Sequence, residues 1–503
     1  MSAHRLCDTV IKIILIVVMM GYGDFQGISQ TYLQPDDMKY DVAVLKATWE
    51  STHGGLYRYN TREEIETYFS VLNSRISKPL SLRDFFILIS QLNARIHCGH
   101  TFVSFYNNKN IIKDELYSKY FLPVMFRVID DSFVITHNLS ENADLQQGQK
   151  ILAINGIPVK TICDSLLTVS KADGKNGHNK QLDNISIYKR DISTKHYCLF
   201  DIYFPLFFKK YINDEHYVLT VLSGKDTLQM TIKGLQKEER EKRFISQYGQ
   251  VPKNEESWYI KEINEKTVLF RLGDFATYNW KFNFTAYLDS VFTVIQKKKY
   301  SHLIIDIREN EGGADAARDA VLSYLTPITI GCANPVRRLY RYTSIPDSLK
   351  QYLNTWDDEF KKDKTGYFLT SDGYYEHTSP SLNCDTIYSR PNHFKGKLFL
   401  ITDATNSSAT FIMADCIKRN KLGYLVGEKT GGSQQGINGG ELFFFYMPKS
   451  KIEMDVPLIW QRPFHDMPDE GIEPDYIVQT TCDDIEKKRD PQMNFILKTL
   501  LSE

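Results

Sequence analysis

A serine that closes a strand and opens a helix has two quite different uses open to it. In Asn406-Ser407-Ser408-Ala409 the polar residues follow the apolar run Lys397-Leu-Phe-Leu-Ile401 and precede a helical pattern from about 407 to 419. The first N–H groups of a helix have no intrahelical acceptor, and open α/β sheets bind ligands at the carboxyl ends of their strands. As a cap, Asn406 or Ser407 would satisfy one such amide and nothing would react. As a nucleophile, Ser408 would attack a carbonyl carbon whose oxyanion rests on the Ala409 N–H and a second nearby amide. Position alone favours the cap, the commoner role of serine.

A serine hydroxyl is a weak nucleophile and needs a base. His100, in Cys98-Gly-His-Thr101, offers an imidazole whose near-neutral pKa suits taking and returning a proton. The competing reading makes His100 a structural residue, with His97 as its neighbour and rival. Two turns with glycines follow apolar strands, Asp306-Ile-Arg-Glu-Asn-Glu-Gly-Gly313 and Gly427-Glu-Lys-Thr-Gly-Gly432. Paired glycines let a backbone N–H approach a ligand without side-chain obstruction.

The elements that must position these residues follow from periodicity. From Asp37 to about residue 105, Val42, Leu45, Trp49, then Ile65, Phe69, Leu72, then Phe85, Ile89, Leu92 recur at helical spacing. Thr61-Arg-Glu-Glu64 and Ser81-Leu-Arg-Asp84 put a hydroxyl three residues before an acid, the spacing of a capping box. Residues 37–105 are therefore expected to form a helical cap domain. From 120 to 234 the period becomes that of strands, with a hairpin predicted at Phe126–Ile129 and Phe133–Thr136 and a tight Asn155-Gly156 turn. A mixed-charge segment, 236–256, reads as a solvated helix and linker. Residues 257–480 alternate strand and helix, the pattern of βαβ units in an α/β sheet.

A chain of 503 residues with 42% hydrophobic, 13% aromatic and 24% charged residues is a multi-domain globular protein. Its charge of −1, without blocks of one sign, gives no electrostatic footprint for nucleic acid. Arg5 and Lys12, the apolar run Ile13–Met20 and Gly21-Tyr-Gly23 predict a signal peptide over 1–23, too short in its apolar part to span a bilayer, with an uncleaved anchor as the alternative. A periplasmic or extracellular location follows. Cysteines at 7, 98, 163, 198, 332, 384, 416 and 482 form no CxxC pair, so neither a zinc site nor a disulfide scaffold is expected.

Leu145-Gln-Gln-Gly-Gln-Lys-Ile-Leu-Ala-Ile-Asn-Gly-Ile-Pro-Val159 resembles the hallmark stretch of a PDZ domain, with Gln149 at its usual Asp and no clear carboxylate-binding loop. Together with Leu303-Ile-Ile-Asp306 to Gly313, Ser408-Ala409, Gly427 to Gly432 and Gly471-Ile-Glu-Pro-Asp475, the order of segments resembles the tail-specific (C-terminal processing) serine peptidases. His53-Gly-Gly-Leu-Tyr57 stands where relatives carry an H-P-x-L-Y-like segment. The Ser–Lys branch keeps a catalytic lysine where this chain has Ser433, and Lys429 matches a non-catalytic lysine; Cys98-Gly-His-Thr101 resembles the histidine segment of the tricorn-core and interphotoreceptor retinoid-binding protein branch. The resemblance implies an α/β catalytic domain with a ClpP/crotonase-like core, a helical cap and a PDZ-like domain. It implies a serine endopeptidase acting on protein or peptide, with no cofactor or metal: Ser408 as nucleophile, His100 as base, Asp469 as orienting acid in preference to Asp466 or Glu470, and Gly313 and Ala409 amides as oxyanion hole. The turn Gly439-Gly-Glu441 and the strands after it would offer a sheet edge for the peptide. The alternative on the same fold is an inactive carrier of a hydrophobic ligand or peptide.

Overall fold

The computed structural model describes residues 31–103, 113–194, 196–211, 214–251, 254–379 and 386–501; the expected signal peptide lies outside them. The N-terminal region holds α1 (Pro35–Thr52), α2 (Arg62–Arg75) and α3 (Leu82–Ala94). Thr61 and Glu64 form the reciprocal capping box at α2, while at α3 the Ser81 hydroxyl caps the Asp84 N–H. Met38, Val42, Leu45 and Trp49 put the apolar stripe of α1 into the core, as their spacing requires. A short strand, β1 (Phe102–Val103), follows α3.

The β-rich region contains β2 (Val124–Ile129), β3 (Ser132–Asn138), β4 (Lys150–Ile154), α4 (Val159–Leu167), α5 (His178–Asp183), α6 (Leu199–Phe207), β5 (His216–Ser223) and β6 (Asp226–Lys233). Its strands lie in the order β2-β3-β4-β5-β6, all antiparallel. Asp130 and Asp131 both have positive φ, as do Asn155 and Gly156, so each pair makes the turn whose twist matches a two-residue hairpin. Apolar packing is continuous from Trp49 and Phe86 to Phe126, Phe133 and Phe200.

The charged segment departs from its sequence reading. Helix α7 (Lys237–Tyr248) buries Lys237, Arg240 and Phe244, and Arg240 pairs with buried Asp201. A run of charges does not reveal that one arginine of it has a carboxylate waiting in the interior.

The α/β region starts with β7 (Trp258–Asn264) and β8 (Thr267–Leu272), followed by α8 (Phe284–Lys297), β9 (His302–Asp306) and α9 (Asp315–Ser323). Then come β10 (Leu353–Asn354), β11 (Lys397–Thr402), α10 (Ala409–Arg419), β12 (Tyr424–Gly427), β13 (Leu442–Tyr446), β14 (Glu453–Pro457) and β15 (Tyr476–Ile477). The central six-stranded sheet runs β7-β8-β9-β11-β12-β15, parallel except for the β7–β8 pair. Both faces are covered. Leu303, Ile305, Leu398 and Leu400 pack with α8, α9 and α10, and Ile304, Phe399 and Ile401 pack with Ile496 and Leu500 near the C-terminus. A second sheet, β10-β13-β14-β1, carries the N-terminal strand β1 on its edge and so ties the helical region to the α/β region.

Cys98, Cys163, Cys198 and Cys416 are buried free thiols, as small hydrophobes would be, and Cys482 is also free. Cys332, by contrast, is disulfide-bonded. No helix among the described residues is long and apolar enough to cross a membrane.

Candidate active site

Parallel strands β9 and β11 end side by side, Asp306 opposite Ile401, and the turns that follow them are stitched together. Asn406 is fully buried; its Nδ2 donates to the Asn310 carbonyl at 3.0 Å and its Oδ1 accepts from the Asp403 N–H at 2.9 Å. Ser407 Oγ donates to the Glu311 carbonyl at 3.1 Å, and Asn310 Oδ1 accepts from the Gly312 N–H at 2.9 Å. Asn406 and Ser407 therefore hold two loops together and cap no helix, which corrects the cap reading of these residues. Ser408 itself stands at the helix entry with φ 52° and ψ −124° and makes no side-chain cap.

That backbone conformation is sparsely populated for a residue with a Cβ. It turns a side chain out at a sharp strand-to-helix bend, the geometry of a nucleophile elbow. Gly312 packs directly beneath it: a Cβ there would lie 2.9 Å from the Ala409 N and 2.9 Å from Ser408 Cβ, at φ +109°. Among the described residues neither the Ala409 N–H nor the Gly313 N–H donates a hydrogen bond, so both are available beside Ser408.

His100 reaches this turn from 308 residues away. Its Nε2 is 3.2 Å from Ser408 Oγ. The approach is set from both sides. Thr101, next in sequence, is buried with its Oγ1 2.6 Å from His53 Nε2, and its carbonyl accepts from Asn93 Nδ2 of α3 at 2.7 Å. Beyond it, β1 pairs with β14. His53 thus helps to fix the His100 segment through Thr101, a task its place in His53-Gly-Gly-Leu-Tyr57 did not disclose. Burial holds the His100 pKa below the usual histidine range, Asp173 opposes that shift, and Lys171 and Arg58 add to it. The imidazole is consequently neutral at pH 7, the state in which Nε2 can accept a proton.

The expected acid is elsewhere. Asp469 accepts from Ser433 Oγ at 2.9 Å through Oδ1 and from the Lys175 N–H at 2.8 Å through Oδ2, and it makes no bond to His100. Ser433, which also accepts from Tyr59 OH at 2.8 Å, has absorbed this carboxylate into a buried junction between three regions of the chain. Meanwhile His100 Nδ1 is buried with no hydrogen-bond partner among the described residues. Lys429 is occupied by Glu470 at 2.6 Å and Glu473 at 2.8 Å, which raise its pKa. His97 packs edge-on to Tyr59 at positive φ, and its N–H groups and ring make no bond to Ser408. No group of His, Cys, Asp or Glu among the described residues is arranged to hold a metal ion.

Residues 267–478 match the family model of peptidase family S41. This segment is a family S41 peptidase domain. The protein carrying it is a serine-type peptidase acting on protein substrate. The S41 domain accounts for the turns that carry Gly313, Ser408 and Gly432, whereas His100 lies outside it. The fold of the whole chain is similar to that of mature CPAF complexed with lactacystin, at 12% identity and TM-score 0.62, covering 93% of this chain and 98% of that one. Mature CPAF alone gives 13% identity and TM-score 0.59, covering 93% and 97%. No curated protein matches the sequence.

Proposed function

We propose that the protein is a secreted endopeptidase that works through an acyl-enzyme on Ser408 with His100 as general base. The observation that carries this reading is the 3.2 Å contact between His100 Nε2 and Ser408 Oγ beside two amides without acceptors. In the first half-reaction Ser408 Oγ bonds to the scissile carbonyl carbon as its proton passes to Nε2. The Gly313 and Ala409 N–H groups stabilise the oxyanion, and the imidazolium returns the proton to the departing amine. Water repeats the sequence in reverse to free the acid and the serine.

Strand β1, two residues after His100, is the outer strand of its sheet among the described residues, a position that suits a peptide bound as an added strand. We read the β-rich region as PDZ-like, on the strength of β3, β4, the Asn155-Gly156 turn and α4, and the central parallel sheet as a ClpP/crotonase-like core. Secretion is favoured by the basic and apolar N-terminal sequence and by the disulfide at Cys332, since disulfides persist in oxidising compartments.

The test is incubation with a serine-directed fluorophosphonate followed by mass mapping. Labelling of Ser408, lost in His100→Ala, is the expected result. An unlabelled Ser408 in protein that binds a hydrophobic ligand would favour the carrier function instead.

A further inference from the structure

A histidine base needs its far nitrogen held. When Nε2 takes the serine proton, Nδ1 carries a proton that wants an acceptor, and a carboxylate there fixes the ring and stabilises the imidazolium. In this chain the carboxylate expected from the α/β region, Asp469, is bound to Ser433 and Lys175, and His100 Nδ1 is buried without a partner. Among the described residues the S41 domain does not meet this need.

One other acid is built into the same place. Asp173, in the loop between α4 and α5 of the β-rich region, is 3% exposed. Its Oδ1 accepts from the Gly99 N–H at 3.1 Å and from Arg58 at 3.0 Å. Its Oδ2 makes no hydrogen bond among the described residues and lies 2.6 Å from where a Cβ on Gly99 would be. Only glycine at 99 leaves room for a carboxylate against the backbone of the residue before His100. We propose that Asp173 is the positioning carboxylate of His100, so that the β-rich region, docked through the Arg58–Asp173 pair, supplies the third member of the catalytic group.

This inference rests on the Ser408–His100 reading. The ring and the carboxylate are not yet bonded, and unliganded sites commonly tighten only with substrate. Asp173 therefore completes the group when the β-rich region and the Gly99-His100 segment close on a bound peptide. The placement makes docking of a region outside the S41 domain a condition of catalysis. The charged groups facing His100 are Asp173 and Lys171 from the β-rich region, Arg58 from the helical region and Asp315 at the start of α9; of these Asp173 acts most strongly, and it favours the imidazolium.

The experiment measures the rate of Ser408 labelling by a fluorophosphonate as a function of pH in the full chain. Asp173→Asn keeps an oxygen for the Gly99 N–H and removes the charge. It is expected to slow labelling about 10²-fold and to move the acid limb to lower pH, because an unsupported imidazolium loses its proton more readily. Asp173→Glu is expected to restore part of the rate. Because a lone buried Arg58 could prevent folding, the neutral pair Arg58→Met with Asp173→Asn serves as the second variant and is expected to be slowed to the same degree. Wild-type rate in Asp173→Asn, or a slowed rate with an unmoved acid limb, would overturn the proposal and leave Asp173 an anchor for Arg58. A wild-type enzyme that never labels, or a His100→Ala enzyme that labels normally, would overturn the Ser408–His100 reading itself.

Discussion

Replacing Ser408 by glycine should abolish peptidase activity and yet give a more stable protein than replacing it by alanine. Ser408 holds φ 52° and ψ −124°, a conformation that costs a residue with a Cβ about 1–3 kcal/mol. Alanine keeps the Cβ and therefore the strain; glycine removes both. Against this gain stands the greater freedom of glycine in the unfolded chain, about 0.5–1 kcal/mol. The difference leaves Ser408→Gly ahead of Ser408→Ala by about 1 kcal/mol, with a range from about 0 to 2.5. Neither variant has a hydroxyl at 408, so on the proposed mechanism self-cleavage cannot confuse the comparison. Urea denaturation followed by intrinsic fluorescence measures it: for a slope of about 3 kcal/mol per molar, the midpoint of the glycine variant should lie about 0.3 M higher. An alanine variant more stable than the glycine variant would show that the turn is unstrained.

Lys429→Ala should leave turnover within about tenfold, since its ammonium is engaged by Glu470 and Glu473, whereas His100→Ala should lower kcat about 10²–10⁴-fold; equal losses in a peptide-cleavage assay would identify the wrong base. Lys171→Met removes a cation that disfavours the imidazolium, so the acid limb of kcat/KM should move to higher pH, and an unmoved limb would place Lys171 outside the site's field. Burial pushes the Asp455 carboxyl up to about 7, against about 3.9 in the unfolded chain, so the native state binds the extra proton and stability falls as pH rises through that interval. Asp455→Asn should flatten that dependence and gain stability over the parent at pH 8 but not at pH 4, as read from melting temperatures. Gly312→Ala should disable the enzyme, because its methyl would stand 2.9 Å from both Ala409 N and Ser408 Cβ, and near-normal activity would show that the two turns give way easily.

The features legible in the sequence are those written in short range. The Thr61–Glu64 capping box, the two hairpin turns with their positive-φ pairs and the strand–turn–helix around Ser408 are each set by chemistry within a few residues, and each forms as those residues dictate. The period of the apolar residues fixed which segments would be strands between helices. The order of the glycine turns and of Ser408 and His100 marked a peptidase through its resemblance to the tail-specific serine peptidases, since position alone favours a cap at that turn. The tertiary structure alone decided which groups meet. Asp469 and Asp173 are both acids near glycines in the sequence, and nothing local tells that the first is held by Ser433 while the second lies against Gly99. Asn406 reads as a cap and instead bridges to Asn310, and Arg240 reads as solvated and instead meets Asp201 in the interior. Even the strain at Ser408 is imposed from outside, by Gly312 beneath it and by the bonds from Asn406 and Ser407 to the neighbouring turn. A side chain's partner across a hundred or more residues depends on how whole sheets and helices pack, and packing is a property of the assembled surfaces, which no window of sequence contains.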